Sequence, residues 1–108
     1  MNNNFGIYDR SYFLILETLK NISEIEKAYI FGSRAMGNYK KGSDIDIAIM
    51  GEKLNFNITS SLYGLLNEKL PIPYVIDLVN FNIIETKELK EHILNEGKII
   101  HNKEIQKN

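Results

Sequence analysis

The chain has 108 residues, a net charge of −1, 44% apolar residues and 25% charged ones. That is one soluble, globular domain with a two-layer core. It has no cysteine, which excludes disulfides and thiolate zinc sites. The near-balance of 13 basic and 14 acidic residues argues against nucleic acid as a partner. Neither a membrane span nor a signal peptide is visible, so the expected location is cytoplasmic.

The domain is expected to occupy residues 1–108, with 1–6 and 102–108 frayed. A first helix is predicted from Asp9. Tyr12, Ile15, Leu16, Leu19 and Ile22 form its apolar stripe. Asp9 or Ser11 is its expected cap, and Asn21 and Ser23 mark its end. "KAYIFGS" reads as a strand stopped by Gly32. "RAMGNYKKGS" reads as a short helical turn and a loop, and "DIDIAIM" as a strictly alternating strand. After "GEKLNFN", a connection, Ile58 to Leu70 forms a second amphipathic helix, stopped by Pro71 and Pro73. "YVIDLVNF" is a third strand, and a helix from about Thr86 to Glu96 follows, with Gly97 as its C′ residue. "KIIH" is a short extended piece against the sheet, and "NKEIQKN" a polar tail. The fold class is therefore α/β (α+β), a small sheet with helices packed against it.

Strand alternation places Asp44, Asp46 and Ala48 on one face and Ile45, Ile47 and Ile49 on the core face. Two strand residues span about 6.6 Å, so both carboxylates can reach one metal. With Ile76 and Leu78 inward, Asp77 emerges on the side of Asp44 and Asp46. Neither strand carries a basic residue to neutralise the three. Their repulsion raises their pKa values or demands a cation, and oxygen-only donors favour Mg²⁺ or Mn²⁺ over zinc. A single Asp-x-Asp is commonly a solvated pair, and it is the conjunction of three that points to chemistry. Gly32, ending a strand before a helical start, lets backbone N–H groups approach a phosphate. Ser33 adds a donor, and Arg34, Lys40 and Lys41 offset charge on a polyphosphate, Arg34 by a bidentate fork. Lys40 and Lys41 read more simply as a solvated loop. A phosphate cradle followed by three carboxylates is the set that phosphoryl-type transfer needs. His92 and His101, distant and without cysteines, are not expected to form a site. Tyr39 reads as an exposed loop residue, with stacking on a base as the alternative. Met36 is expected to pack under the loop.

"FGSRAMG", "SDIDIAI" and "VIDLV" together resemble the minimal nucleotidyltransferase (MNT) family of the DNA polymerase β superfamily, over about Tyr29 to Val79. The resemblance implies a polymerase β-like fold with a mixed sheet, and nucleotidyl transfer from a nucleoside triphosphate. Gly32, Ser33 and Arg34 would bind the nucleotide. Asp44 and Asp46 would hold Mg²⁺, and Asp77 would serve as third ligand or base. Small members resemble antitoxins of HEPN ribonuclease toxins, several of which transfer AMP from ATP to a toxin tyrosine. A domain of this size leaves no room for a substrate domain, so the acceptor hydroxyl is expected from such a partner. A non-catalytic antitoxin and a transferase for a small-molecule hydroxyl are the alternatives. Many members read Gly-Ser-x-Ala-Arg-Gly, and Met36 replaces that Arg.

Overall fold

A computed structural model describes residues 3–104. Its elements run α1 (Asp9–Lys20), β1 (Lys27–Phe31), α2 (Ser33–Met36), β2 (Ile45–Met50), α3 (Phe56–Gly64), β3 (Ile76–Asn80), α4 (Lys87–Glu96) and β4 (Lys98–Asn102). The sheet order is β3-β2-β1-β4. β1 pairs antiparallel with both β2 and β4, while β2 and β3 are parallel, so the sheet is mixed.

Alternation in β2 sorts its side chains as the sequence pattern requires. Ile45, Ile47 and Ile49 join Ala28, Ile30 and Ile76 in the main core, under Ile15 and Leu19 of α1 and Leu62 of α3. The opposite face is not bare. Tyr29, Phe31 and Ala48 form a smaller cluster with Ile93 of α4, flanked by Leu89, Val79 and Phe81. The molecule thus has three layers, with α4 alone on the side that carries Asp46. Among the described residues no helix is long and apolar enough to cross a membrane.

Several local expectations are corrected. The α1 N-cap is Tyr8, without a side-chain capping bond, and Ser11 is buried instead. Residues 3–6 are tied down rather than frayed. The Asn3 side chain accepts from Phe5 N and Ile7 N, at 3.0 and 3.1 Å, and donates to the Ile7 carbonyl. Phe5 is part of the core. At the other end Lys103 N donates to the Glu26 carbonyl at 2.8 Å; residues 1–2 and 105–108 lie outside the described residues. The second helix starts earlier than its apolar spacing suggests, because Asn55 accepts from Ile58 N and caps it. It then widens into a π-helical turn over Leu65–Lys69, closed by Leu70 N on the Leu65 carbonyl at 2.9 Å. Gly97 is extended rather than left-handed. It must be glycine because a Cβ there would strike the Ile93 carbonyl.

Candidate functional site

The site is built where three strands end side by side. In the ladder Phe31 stands opposite Asp46, and Asp46 opposite Asp77. Neighbouring strands lie about 4.8 Å apart, so these two carboxylates on one face must meet. Two carboxylates this close leave the inner one unfavourably charged. The Asp46 pKa is pushed up to about 6, first by burial, then by the charge of Asp77 and that of Asp44, while His92 pulls it down. This is the signature of a carboxylate whose neighbours repel its charge.

Asp44 is less closely held. It precedes β2 and is exposed, as is Asp77, whereas Asp46 is half-buried. Among the described residues no three acidic, His or Cys side chains converge tightly enough to cage a metal ion. The structure sets two of the three expected carboxylates opposite each other in register and leaves the third within electrostatic reach. The donor set still fits a hard divalent cation, since all three groups are carboxylates and the central one lacks a countercharge on its own strands.

Gly32 closes the site from above β2. Its φ of 71° lies in the region that only glycine enters freely. A Cβ at this position would land on Asp46 Oδ2. Glycine is therefore required twice over, by backbone angle and by close approach to the carboxylate. Ser33 opens α2 directly beyond it, and Gly37, with φ of 85°, ends that single turn. The predicted helical turn and loop are thus present.

Arg34 does not join this group. It is 1% exposed. Its Nη1 donates to the carbonyls of Phe5 and Gly6, at 2.8 and 3.2 Å. Its Nε and Nη2 form a fork on the Ser43 carbonyl, at 3.2 and 2.8 Å. Its guanidinium lies 5.0 Å from the ring centres of both Tyr39 and Tyr74. Adjacency to a Gly-Ser pair suggested a phosphate ligand. The side chain instead fastens the N-terminal segment and the loop that leads to Asp44. Tyr39 stacks on this arginine rather than standing free, and Met36 is 53% exposed instead of packing beneath the loop. Lys40 and Lys41 are exposed.

One residue at the site escaped the sequence. Gly32 N donates to His92 Nε2 at 3.1 Å, and the His92 ring meets the Phe31 ring edge-on at 6.0 Å. Only the crossover that lays α4 over β1 brings the two together, and no spacing reveals that. His101 behaves as expected of a core group: it is buried, its Nε2 bonds the Ile25 carbonyl at 3.3 Å, and burial lowers its pKa.

Comparison with known proteins bears on the fold and the family. No curated protein matches the chain. Among solved structures, a doubly substituted MntA–HepT toxin–antitoxin is 24% identical with a TM-score of 0.69, covering 87% of this chain and 78% of that one. A toxin–antitoxin with AMP-PNP is 24% identical with a TM-score of 0.68, covering 93% and 77%. A tri-AMPylated Shewanella oneidensis HEPN toxin in complex with MNT antitoxin is 23% identical with a TM-score of 0.65, covering 90% and 74%. These likenesses establish the fold. The sequence model "Polymerase beta, Nucleotidyltransferase" matches residues 14–106. The chain therefore belongs to the polymerase beta nucleotidyltransferase family.

Proposed function

We propose that this protein transfers AMP from ATP to a hydroxyl, probed first on tyrosine, of a HEPN-type toxin, and so acts as its antitoxin. The observation that carries the proposal is the register pairing of Asp46 with Asp77 beside Gly32. Support for the substrates comes from relatives of the same fold, one solved with AMP-PNP and one with a tri-AMPylated HEPN toxin.

Asp44, Asp46 and Asp77 would hold Mg²⁺, or Mn²⁺ in its place. When bound, the ion supplies charge neutralisation for the triphosphate and the leaving pyrophosphate. The chain's own residues do the rest. At Gly32 and Ser33 the phosphates would meet the Ser33 hydroxyl and backbone N–H, with Gly32, lacking a Cβ, leaving the approach open. Asp77 is exposed, so a hydroxyl presented by another protein can reach it. The hydroxyl oxygen attacks the α-phosphorus, its proton passes to the Asp77 carboxylate, and the bond to pyrophosphate breaks. AMP is left as an ester on the acceptor. General-base help of this kind contributes about 10²- to 10⁴-fold. A cytoplasmic location suits a toxin of this kind.

Intact-mass analysis of a HEPN toxin co-expressed with this protein tests the proposal. Added AMP masses are expected with the parent chain and lost with Asp77→Asn. An unmodified but neutralised toxin would replace catalysis by simple binding, and transfer to a small-molecule hydroxyl alone would replace the partner.

A further inference from the structure

The His92 bond to Gly32 needs an explanation. The ladder of β1 with β4 ends at Ile30, and that with β2 ends at Phe31. Gly32 N–H therefore lies just past the last strand partner on either side. A backbone donor in that position takes water, a ligand or a side chain. Here the imidazole takes it, at 3.1 Å. Because Nε2 accepts, the ring proton resides on Nδ1. The ring itself is not free to wander. It is half-buried, its edge rests on Phe31, and the next residue, Ile93, is fully buried in the cluster below.

We propose that His92 is a positioning residue that fixes the Phe31–Gly32 peptide, and with it the turn into Ser33, in the orientation which receives the triphosphate of ATP. This rests on the nucleotidyl-transfer reading above. Gly32 has φ of 71° and ψ of −152°, a conformation that glycine adopts without the steric cost other residues meet. A peptide at such a residue needs an external anchor if its neighbours are to hold donors in place. His92 supplies the anchor from α4, an element that carries none of the aspartates. The opposite reading, an imidazole that merely plugs the phosphate position and must leave, makes the opposite prediction for its removal.

The experiment compares the parent protein with His92→Ala and His92→Gln. A glutamine amide oxygen can reach the place of Nε2 and accept the same N–H. With ATP and Mg²⁺, and with the HEPN toxin as acceptor, His92→Ala is expected to raise KM for ATP roughly 3- to 10-fold, the value of one such bond. Its kcat should stay within about twofold, and His92→Gln should restore KM to within about twofold of the parent, on the same reasoning. An unchanged or lower KM in His92→Ala overturns the proposal, the lower value favouring a plug. So does a His92→Gln variant that melts like the parent yet is as impaired as His92→Ala, since packing on Phe31 would then be the cause. A nucleotide-free measurement separates this claim from the functional reading. ¹⁵N spectra should show His92 Nε2 without a proton, and the Gly32 amide should exchange faster with solvent in His92→Ala. If those signs appear but the parent neither binds nor transfers AMP, the functional reading falls while the anchoring bond stands. If they are absent, the bond does not form and the proposal fails whatever the activity.

Discussion

Asp46 is a half-buried carboxylate set among other carboxylates. Burial and two neighbouring carboxylates raise its pKa to about 6. In the metal-free protein the folded state therefore binds its proton more tightly than the unfolded chain, whose value is about 3.9. The stabilising contribution is complete below about pH 4 and is lost as pH rises through 6. Asp46→Asn should remove this dependence and raise the metal-free melting temperature at pH 7.5, which a pair of thermal scans at pH 5 and 7.5 would show. The same substitution, like Asp44→Asn, should abolish the stabilisation that Mg²⁺ with ATP gives the parent. Since a cation needs the ionised form, binding of Mg²⁺–ATP by the parent should weaken as pH falls through 6. Gly32→Val should weaken that binding far more than Lys40→Ala. The valine Cβ has nowhere to go but onto Asp46, whereas an exposed lysine loses only a screened charge. A titration ranking the two the other way would refute the reading of Gly32.

The connecting elements set where these residues stand. Asn67, in the π-helical turn, uses its side-chain amide as a strand would: Nδ2 donates to the Ile76 carbonyl at 3.0 Å and Oδ1 accepts from Ile76 N at 2.8 Å. The first residue of β3 is thus held one position before Asp77. Asn67→Ala leaves both groups unpaired and should cost about 1–3 kcal/mol, read from urea unfolding. Arg34 does the equivalent for the loop before β2. Arg34→Met should cost roughly 2–4 kcal/mol, because the carbonyls of Phe5, Gly6 and Ser43 lose their donors together. Arg34→Lys should recover little of it, since one ammonium cannot reach all three. A phosphate ligand would behave differently, with Arg34→Lys folding normally and only ATP affinity falling. The contrast also shows what sequence can carry. Period-two alternation placed Asp46 and Asp77 on one face because side-chain direction in a strand is local. The destination of Arg34 depended on carbonyls 29 and 28 residues away, and that of His92 on an N–H 60 residues away. Neither leaves a trace in spacing. The π-helical turn was equally hidden, since Ile58, Leu62, Leu65, Leu66 and Leu70 keep ordinary α-helical spacing across it.

Taken together, the three layers leave the aspartates on a face that α4 covers only in part, with Asp77 on the outer strand β3 and exposed. In the catalytic reading Asp77→Asn should still bind the toxin in a pull-down but fail to give lasting growth rescue. Full rescue by a variant shown to lack transfer would leave the fold standing and remove the enzyme. The sheet topology has one more consequence, which concerns the order of assembly. β1, made early, pairs with β2 after a short loop but with β4 through Lys27–Asn102, Ala28–His101, Tyr29–Ile99 and Ile30–Lys98. Its second ladder must wait until nearly the whole described chain has been synthesised. α4 arrives in the same late stretch and brings His92 with it. The carboxylates can thus be aligned on β2 and β3 while Gly32 is still unanchored, and the closure of so long a loop slows the final step. A nascent chain would hold its acidic half-site well before it could grip a nucleotide, and competence would be gained in one late event.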